Sequence, residues 1–178
     1  MLIAIHGKAQ SGKDTLGRLL SERIGNTTTL AFADPVKQLL MTMYGLTWEQ
    51  LNTEEGKQST PPGLGGKSVR QMLIEVGQGL RALLGYDIWV DHLVSRLTQN
   101  TVVTDMRDAI EYGAMIHHGA ITIKLLRDVR SSASGRRMEY PIPDRCFDYV
   151  LDNRNMDADQ FSEACVSLID EILKNESR

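Results

Sequence analysis

Two spacings of hydrophobic residues alternate along the chain. Leu2–His6 is a short apolar run ending in a glycine-rich turn, which predicts a buried strand of a parallel sheet. From Gly12 to Ile24, apolar Leu16, Leu19, Leu20 and Ile24 recur at helical spacing. Thr28–Phe32 predicts a second strand, with Pro35 opening the helix after it. Residues 52–67 hold Pro61, Pro62 and four glycines and read as a loop or insertion. A helix follows, with Val69, Met72, Leu73, Val76, Leu80, Leu83 and Leu84 on one apolar stripe. A further helix over 88–99 leads into a strand at Thr101–Thr104. Then come a helix over 108–118, a β-branched strand over 120–126, a polar arginine-rich stretch over 127–145, a short strand over 148–151 and an amphipathic helix over 158–173.

Strands alternating with helices predict a layered α/β fold built on a mainly parallel sheet. Ligands of such sheets bind at the carboxyl ends of the strands, so chemistry is expected in the loops after Ile5, Phe32, Thr104 and Leu126.

A chain of 178 residues, 42% hydrophobic and 24% charged, fits one globular domain and argues against disorder or a disulfide scaffold. It shows no apolar run of membrane-spanning length and no signal-peptide pattern, so a cytoplasmic protein without a membrane partner is expected. A net charge of -3 and a pI near 5.8 leave no global basic field for nucleic acid, and any bound anion must be gripped locally. Cys146 and Cys165 sit in no metal or redox spacing and are expected to be core filler.

Such a local grip is offered by Gly7-Lys8-Ala9-Gln10-Ser11-Gly12-Lys13-Asp14-Thr15, which follows the first strand and opens the first helix. It matches G-x-x-x-x-G-K in the required strand–loop–helix context. The backbone of Gly7, Ala9, Gln10, Ser11 and Gly12 is expected to curl N–H groups around a phosphate. The helix end at Asp14 and Thr15 adds partial positive charge, and Lys13 reaches the terminal phosphates. The alternative is a glycine-rich turn without function. Asp14 stands where a Mg²⁺-binding Ser or Thr is usual, with Thr15 next; the carboxylate can touch Mg²⁺ directly or through water. No Asn-Lys-x-Asp turn for reading guanine is present, which argues against a GTPase.

Val102-Val103-Thr104-Asp105 is an apolar run ending in a carboxylate, the pattern of a Mg²⁺-organising strand. Asp105 is thus a candidate beside Asp14 for the metal or the substrate, and Arg107 for a phosphate or for Asp105. Asp108 is the better helix cap. On the helix from Val69, Gly77 lies about 20° to one side of Arg70 and Arg81 about 20° to the other, with the arginines roughly 16 Å apart along the axis. Two arginines flanking a glycine suit a monophosphate clamp, with two solvated arginines beside a packing glycine as the alternative. Trp89 is a base-stacking or a core tryptophan. Asp34 is an N-cap or, with Lys37, a substrate contact.

Arg127, Arg130, Arg136, Arg137 and Arg145 surround a Ser-Ser-Ala-Ser-Gly stretch. Phosphoryl transfer needs positive charge on the moving group and exclusion of water, which a basic lid supplies. Arg127 and Arg130 are the candidates for transition-state contacts, against a merely solvated basic loop. His117 and His118 suit a helix C-terminus, and His6 a buried strand end.

Gly7–Thr15, Phe32–Lys37, Arg70 through Arg81 to Trp89, and Thr104–Arg107 together resemble bacteriophage deoxynucleoside monophosphate kinases over most of the chain. The resemblance implies a single P-loop kinase domain over 1–178, with five parallel strands in the order 2-3-1-4-5, helices on both faces, an acceptor-binding region at about 34–99 and a lid at about 127–145. It implies transfer of the γ-phosphate of ATP, with Mg²⁺, to a deoxynucleoside monophosphate. Lys13 would then hold the phosphates, Arg70 and Arg81 the acceptor, and Arg127 and Arg130 the transferred group. The partners expected are small nucleotides rather than nucleic acid, and a homodimer is left open. The other readings are a kinase of the same superfamily for phosphomevalonate or dephospho-coenzyme A, and a non-catalytic nucleotide-binding module.

Overall fold

Five parallel strands form the sheet of the computed structural model, which describes residues 1–128 and 142–177. They are β1 (Leu2–His6), β2 (Thr28–Leu30), β3 (Thr101–Met106), β4 (Ile121–Leu126) and β5 (Tyr149–Asp152). Their spatial order is β2-β3-β1-β4-β5, as expected. β1 lies at the centre, with Ile3, Ala4 and Ile5 all fully buried, which is why it reads as an unbroken apolar run rather than an alternating one.

The strands belong to a unit formed by Met1–Ala31 and Arg96–Arg178. Its helices are α1 (Lys13–Ile24), α7 (Ala109–His117) and α8 (Ala158–Glu176). α1 contacts α8, and Leu16 and Leu20 of α1 join Phe161, Cys165, Ile169 and Ile172 of α8 in a core shared with Ile3, Ile5 and Ile123. The α8 residues recur at helical spacing, so that helix was legible from its stripe. Asp157 accepts from the Gln160 N–H and Gln160 reaches back to Asp157, a capping box that sets where α8 begins. Asp108 does the same for α7 with Glu111, confirming it as the cap. Cys165 lies in this core, and burial pushes its thiol up to about 11. Cys146 is exposed, against the expectation that both cysteines are core filler.

The second unit is Phe32–Ser95, nearly the stretch assigned above to acceptor binding. It holds α2 (Asp34–Tyr44), α3 (Trp48–Asn52), α4 (Glu54–Gln58), α5 (Val69–Leu84) and α6 (Ile88–Val94). Residues 52–67, read as a loop, contain α4. Thr53 caps it by accepting from the Gly56 N–H, and a Cβ on Gly56 would stand 2.3 Å from the Glu49 carbonyl of α3. Gly56 is thus a packing residue between two short helices rather than a breaker. The stripe of α5 is also only half used. Val69 and Met72 are buried, whereas Leu83 and Leu84 are 77% and 61% exposed. Periodicity tells which residues share a face, not whether a neighbour covers it. Among the described residues, no helix is long and apolar enough to cross a membrane.

Urea denaturation checks this division of burial. Leu20→Ala removes a fully buried side chain and is expected to cost about 2–5 kcal/mol. Leu83→Ala is expected to stay within about 0.5 kcal/mol of the parent. Similar losses from both would contradict the placement of α5.

Candidate phosphate-binding site

β1 ends at the carboxyl edge of the sheet, and the chain then folds into a tight turn before α1. Gln10 takes a left-handed φ of 61° and Gly12 a φ of 98°. The Ser11 N–H donates to the Lys8 carbonyl at 3.2 Å. α1 starts at Lys13 without any side-chain cap, so its first N–H groups and dipole are directed at the turn. Two glycines allow the tight geometry. A Cβ on Gly7 would sit 2.5 Å from the Ser11 Oγ, and one on Gly12 would strike the Phe161 ring of α8 at 2.5 Å. Lys13 is buried, and its Nζ donates to the carbonyls of Gly7 at 2.7 Å and Lys8 at 2.5 Å. Those bonds turn loop carbonyls toward the ammonium and keep the charge beside the turn.

The edge of the sheet around the turn is cationic. His6 closes β1, and its imidazole is lowered to about 4, first by burial and then by the charges of Lys124, Lys13 and Arg107, a hydrogen bond with the Met106 backbone working the other way. Its ring lies 5.2 Å from that of Phe147. Lys124 of β4 donates to the Ile142 carbonyl at 2.5 Å, pairs with Asp144 at 2.8 Å and lies 5.1 Å from the centre of the Phe147 ring. Sequence reasoning missed Lys124, because an isolated lysine in a β-branched strand carries no motif.

Asp105 lies inside β3 rather than after it. Ala4 pairs with Val103 and His6 with Met106, so Thr104 and Asp105 together face the single residue Ile5, a bulge at the ligand-facing end of the strand. Arg107 follows, its N–H donating to Glu111 at 2.8 Å. Asp14 is exposed on the first turn of α1 and Thr15 is half-buried. Asp14 and Thr104 line a cavity of about 450 Å³ on the flank of α1, together with Arg18, Ser21, Glu22 and Thr29. Among the described residues no cluster of three or more carboxylates, histidines or cysteines forms a ready-made metal site.

In the second unit, Arg70 pairs with Glu54 of α4, a partner hidden within the stretch read as a loop. A Cβ on Gly77 would lie 3.7 Å from Val36 of α2, an ordinary contact, and the Gly77 carbonyl accepts from the Trp89 indole at 3.2 Å. Trp89 is 7% exposed, so the tryptophan is core and not an open platform for a base. Asp34 is the first residue of α2 and not its cap, which is Ala33 with no side-chain bond. It lies 3.7 Å from Lys37, which also donates to the Asn52 carboxamide at 2.8 Å. Arg81 shares α5 with Arg70 and is half-buried. Arg127 is exposed just after β4; Arg130, Arg136 and Arg137 lie outside the described residues.

The lowered imidazole of His6 fixes a sign for the pH dependence of stability. Unfolded His6 takes up a proton near 6.5, whereas the folded state resists it until about 4. Stability linked to His6 is therefore full above pH 7 and falls as the pH drops through 6.5 toward 4, by about 2 kcal/mol at pH 5. His6→Asn is expected to remove this part of the acid sensitivity in denaturation curves at pH 7.5 and 5. Equal acid sensitivity in parent and variant would contradict a neutral, buried His6.

No protein-family model matches the chain, and no curated protein sequence matches it. Among solved structures it is similar to shikimate kinase from Aquifex aeolicus, with a TM-score of 0.52 and 16% identity over 97% of this chain and 99% of that one. At that identity the likeness is one of fold. With the strand order and the turn after β1, it gives the chain a P-loop kinase fold.

Proposed function

We propose that the protein transfers the γ-phosphoryl group of ATP to a deoxynucleoside 5′-monophosphate, forming ADP and the diphosphate. The observation that carries the phosphoryl-transfer part of this reading is the uncapped start of α1 behind the Gly7–Thr15 turn, with buried Lys13 beside it, and the choice of acceptor follows from the sequence resemblance. A ring of backbone N–H groups and one ammonium in a cationic, partly dry environment suits a polyphosphate better than any neutral ligand. The shape of the turn is pinned by close packing beneath it, since a Cβ on Gly12 would strike the Phe161 ring and one on Gly7 the Ser11 Oγ.

In this reading the N–H groups from Ala9 to Thr15 hold the β-phosphate region, and Lys13 leaves the loop carbonyls to stabilise charge on the β and γ oxygens. Asp14 and Asp105 would hold Mg²⁺, directly or through water, and the ion would supply positive charge to offset that of the phosphates. An acceptor phosphate oxygen attacks the γ-phosphorus as the bond to the β–γ bridging oxygen breaks, and that oxygen leaves with ADP. No covalent enzyme intermediate is required, so positioning and charge stabilisation supply the rate. Arg127 and Arg130 are assigned to the transferred group. Arg70 and Arg81 are assigned to the acceptor phosphate, with Asp34 and Lys37 in supporting contacts and Gly77 and Trp89 kept as packing residues of the acceptor region. Glu54 holds the Arg70 guanidinium in place until an acceptor anion competes for it.

A second reading has its own support. The buried Trp89 removes the one base-stacking candidate, and the structural neighbour is a kinase named for shikimate. A P-loop kinase for another small acceptor, such as phosphomevalonate or dephospho-coenzyme A, follows from the same phosphate chemistry. The choice is settled by coupled ADP-release assays with ATP, Mg²⁺ and a panel of dNMPs, NMPs, shikimate and other small acceptors. Turnover with dNMPs is expected. Turnover only with a non-nucleotide acceptor selects the second reading, and ATP binding without acceptor-dependent turnover leaves a binding module. Lys13→Ala is expected to lower kcat by about 10²–10³-fold with an unchanged circular dichroism spectrum. Parental kcat in that variant would remove Lys13 from the mechanism.

A further inference from the structure

Asn153 is the first residue after β5, and its side chain is driven inward to 1% exposure. Its own N–H donates to the Leu126 carbonyl at 2.9 Å, and its Nδ2 donates to the Ser11 carbonyl in the phosphate turn at 3.0 Å. The Asn153 Oδ1 is buried without a hydrogen-bond partner, as is the Ser11 Oγ. The neighbouring residues stiffen this turn. Arg154 donates through its backbone N–H at 3.2 Å and its Nε at 2.8 Å to one oxygen of Asp152, and through a terminal nitrogen to the other.

The geometry points to Asn153 as a positioning residue for phosphate binding, acting through the Ser11 carbonyl. In a planar trans peptide the C=O and the following N–H point in opposite directions. Holding the Ser11 carbonyl against the carboxamide therefore aims the Gly12 N–H away from the core and into the concavity of the turn. Lys13 orients the Gly7 and Lys8 carbonyls by the same means on the other limb. The hold of Asn153 on the Ser11 peptide does not depend on Lys13, so it persists once Lys13 moves onto a phosphate. A buried carboxamide with an orphaned oxygen is a poor choice for stability alone, because the unmet acceptor carries a desolvation cost that an apolar side chain of similar size would not. The inference rests on the phosphate-binding reading above.

Calorimetric titration with ADP tests the inference in the parent and in Asn153→Ala and Asn153→Leu, alongside thermal melting. Leucine keeps the volume and removes both the donor and the orphaned acceptor. Asn153→Leu is expected to melt within a few degrees of the parent yet bind ADP at least tenfold more weakly, and the amide resonance of Gly12 is expected to move. A residue that only supports the fold would lower melting temperature and affinity together, and that result overturns the proposal. Parental ADP affinity in both variants also overturns it while leaving the phosphate site intact; a parent that binds no ADP overturns both readings. Should both variants fail to fold, the side-chain amide resonances of Asn153 in the parent decide. Movement in step with ADP saturation supports the proposal, and no movement contradicts it.

Discussion

A peptide group cannot turn its carbonyl one way without turning the next N–H the other, and the turn after β1 depends on that constraint. Lys13 draws the carbonyls of Gly7 and Lys8 toward its ammonium, and Asn153 draws that of Ser11 toward its carboxamide. With those carbonyls engaged, the N–H groups that follow them are left to face a ligand. The uncapped start of α1 adds further donors and the positive end of its dipole. The sheet exists, for this purpose, to hold β1, β4 and β5 side by side so that residues far apart in the chain meet around one turn.

The charges around the turn follow the same logic. Lys13, Lys124 and Arg107 bear on His6, and together with burial they keep it neutral at physiological pH. A neutral imidazole there avoids adding a fourth cation beside Lys13, Lys124 and Arg107. In the proposed reading the cluster reconciles a net charge of -3 with a polyanionic ligand, because the positive charge is local and partly dry, where Coulomb energies exceed those in bulk water. Lys124 is fastened to the 142–147 segment through Ile142, Asp144 and Phe147, which orders the chain immediately before β5.

Where a local signal carries the geometry, the sequence was readable. The Gly7–Lys13 spacing, the apolar run of β1, the cap at Asp108 and the stripe of α8 each depend on residues within a few positions of one another. What was not readable depends on long-range placement. Asn153 meets Ser11 across most of the chain, and no spacing rule relates them. Glu54 was lost because glycine and proline were taken as breakers, although Gly56 is there to let α3 and α4 approach. For Gly77 and Trp89 the sequence left a ligand role and a packing role both open, because the partner that each meets, Val36 for the glycine and the Gly77 carbonyl for the indole, comes from tertiary packing. Leu83 and Leu84 show the converse, an apolar face with the right period and no cover among the described residues.

The account stands on the turn after β1 being the seat of the phosphates. Amide chemical shifts of the isotope-labelled protein, followed as ADP is added, test this residue by residue. The largest displacements are expected at the amides of residues 9–15, saturating with one affinity. A saturable response centred anywhere else, with those amides unmoved, would contradict it.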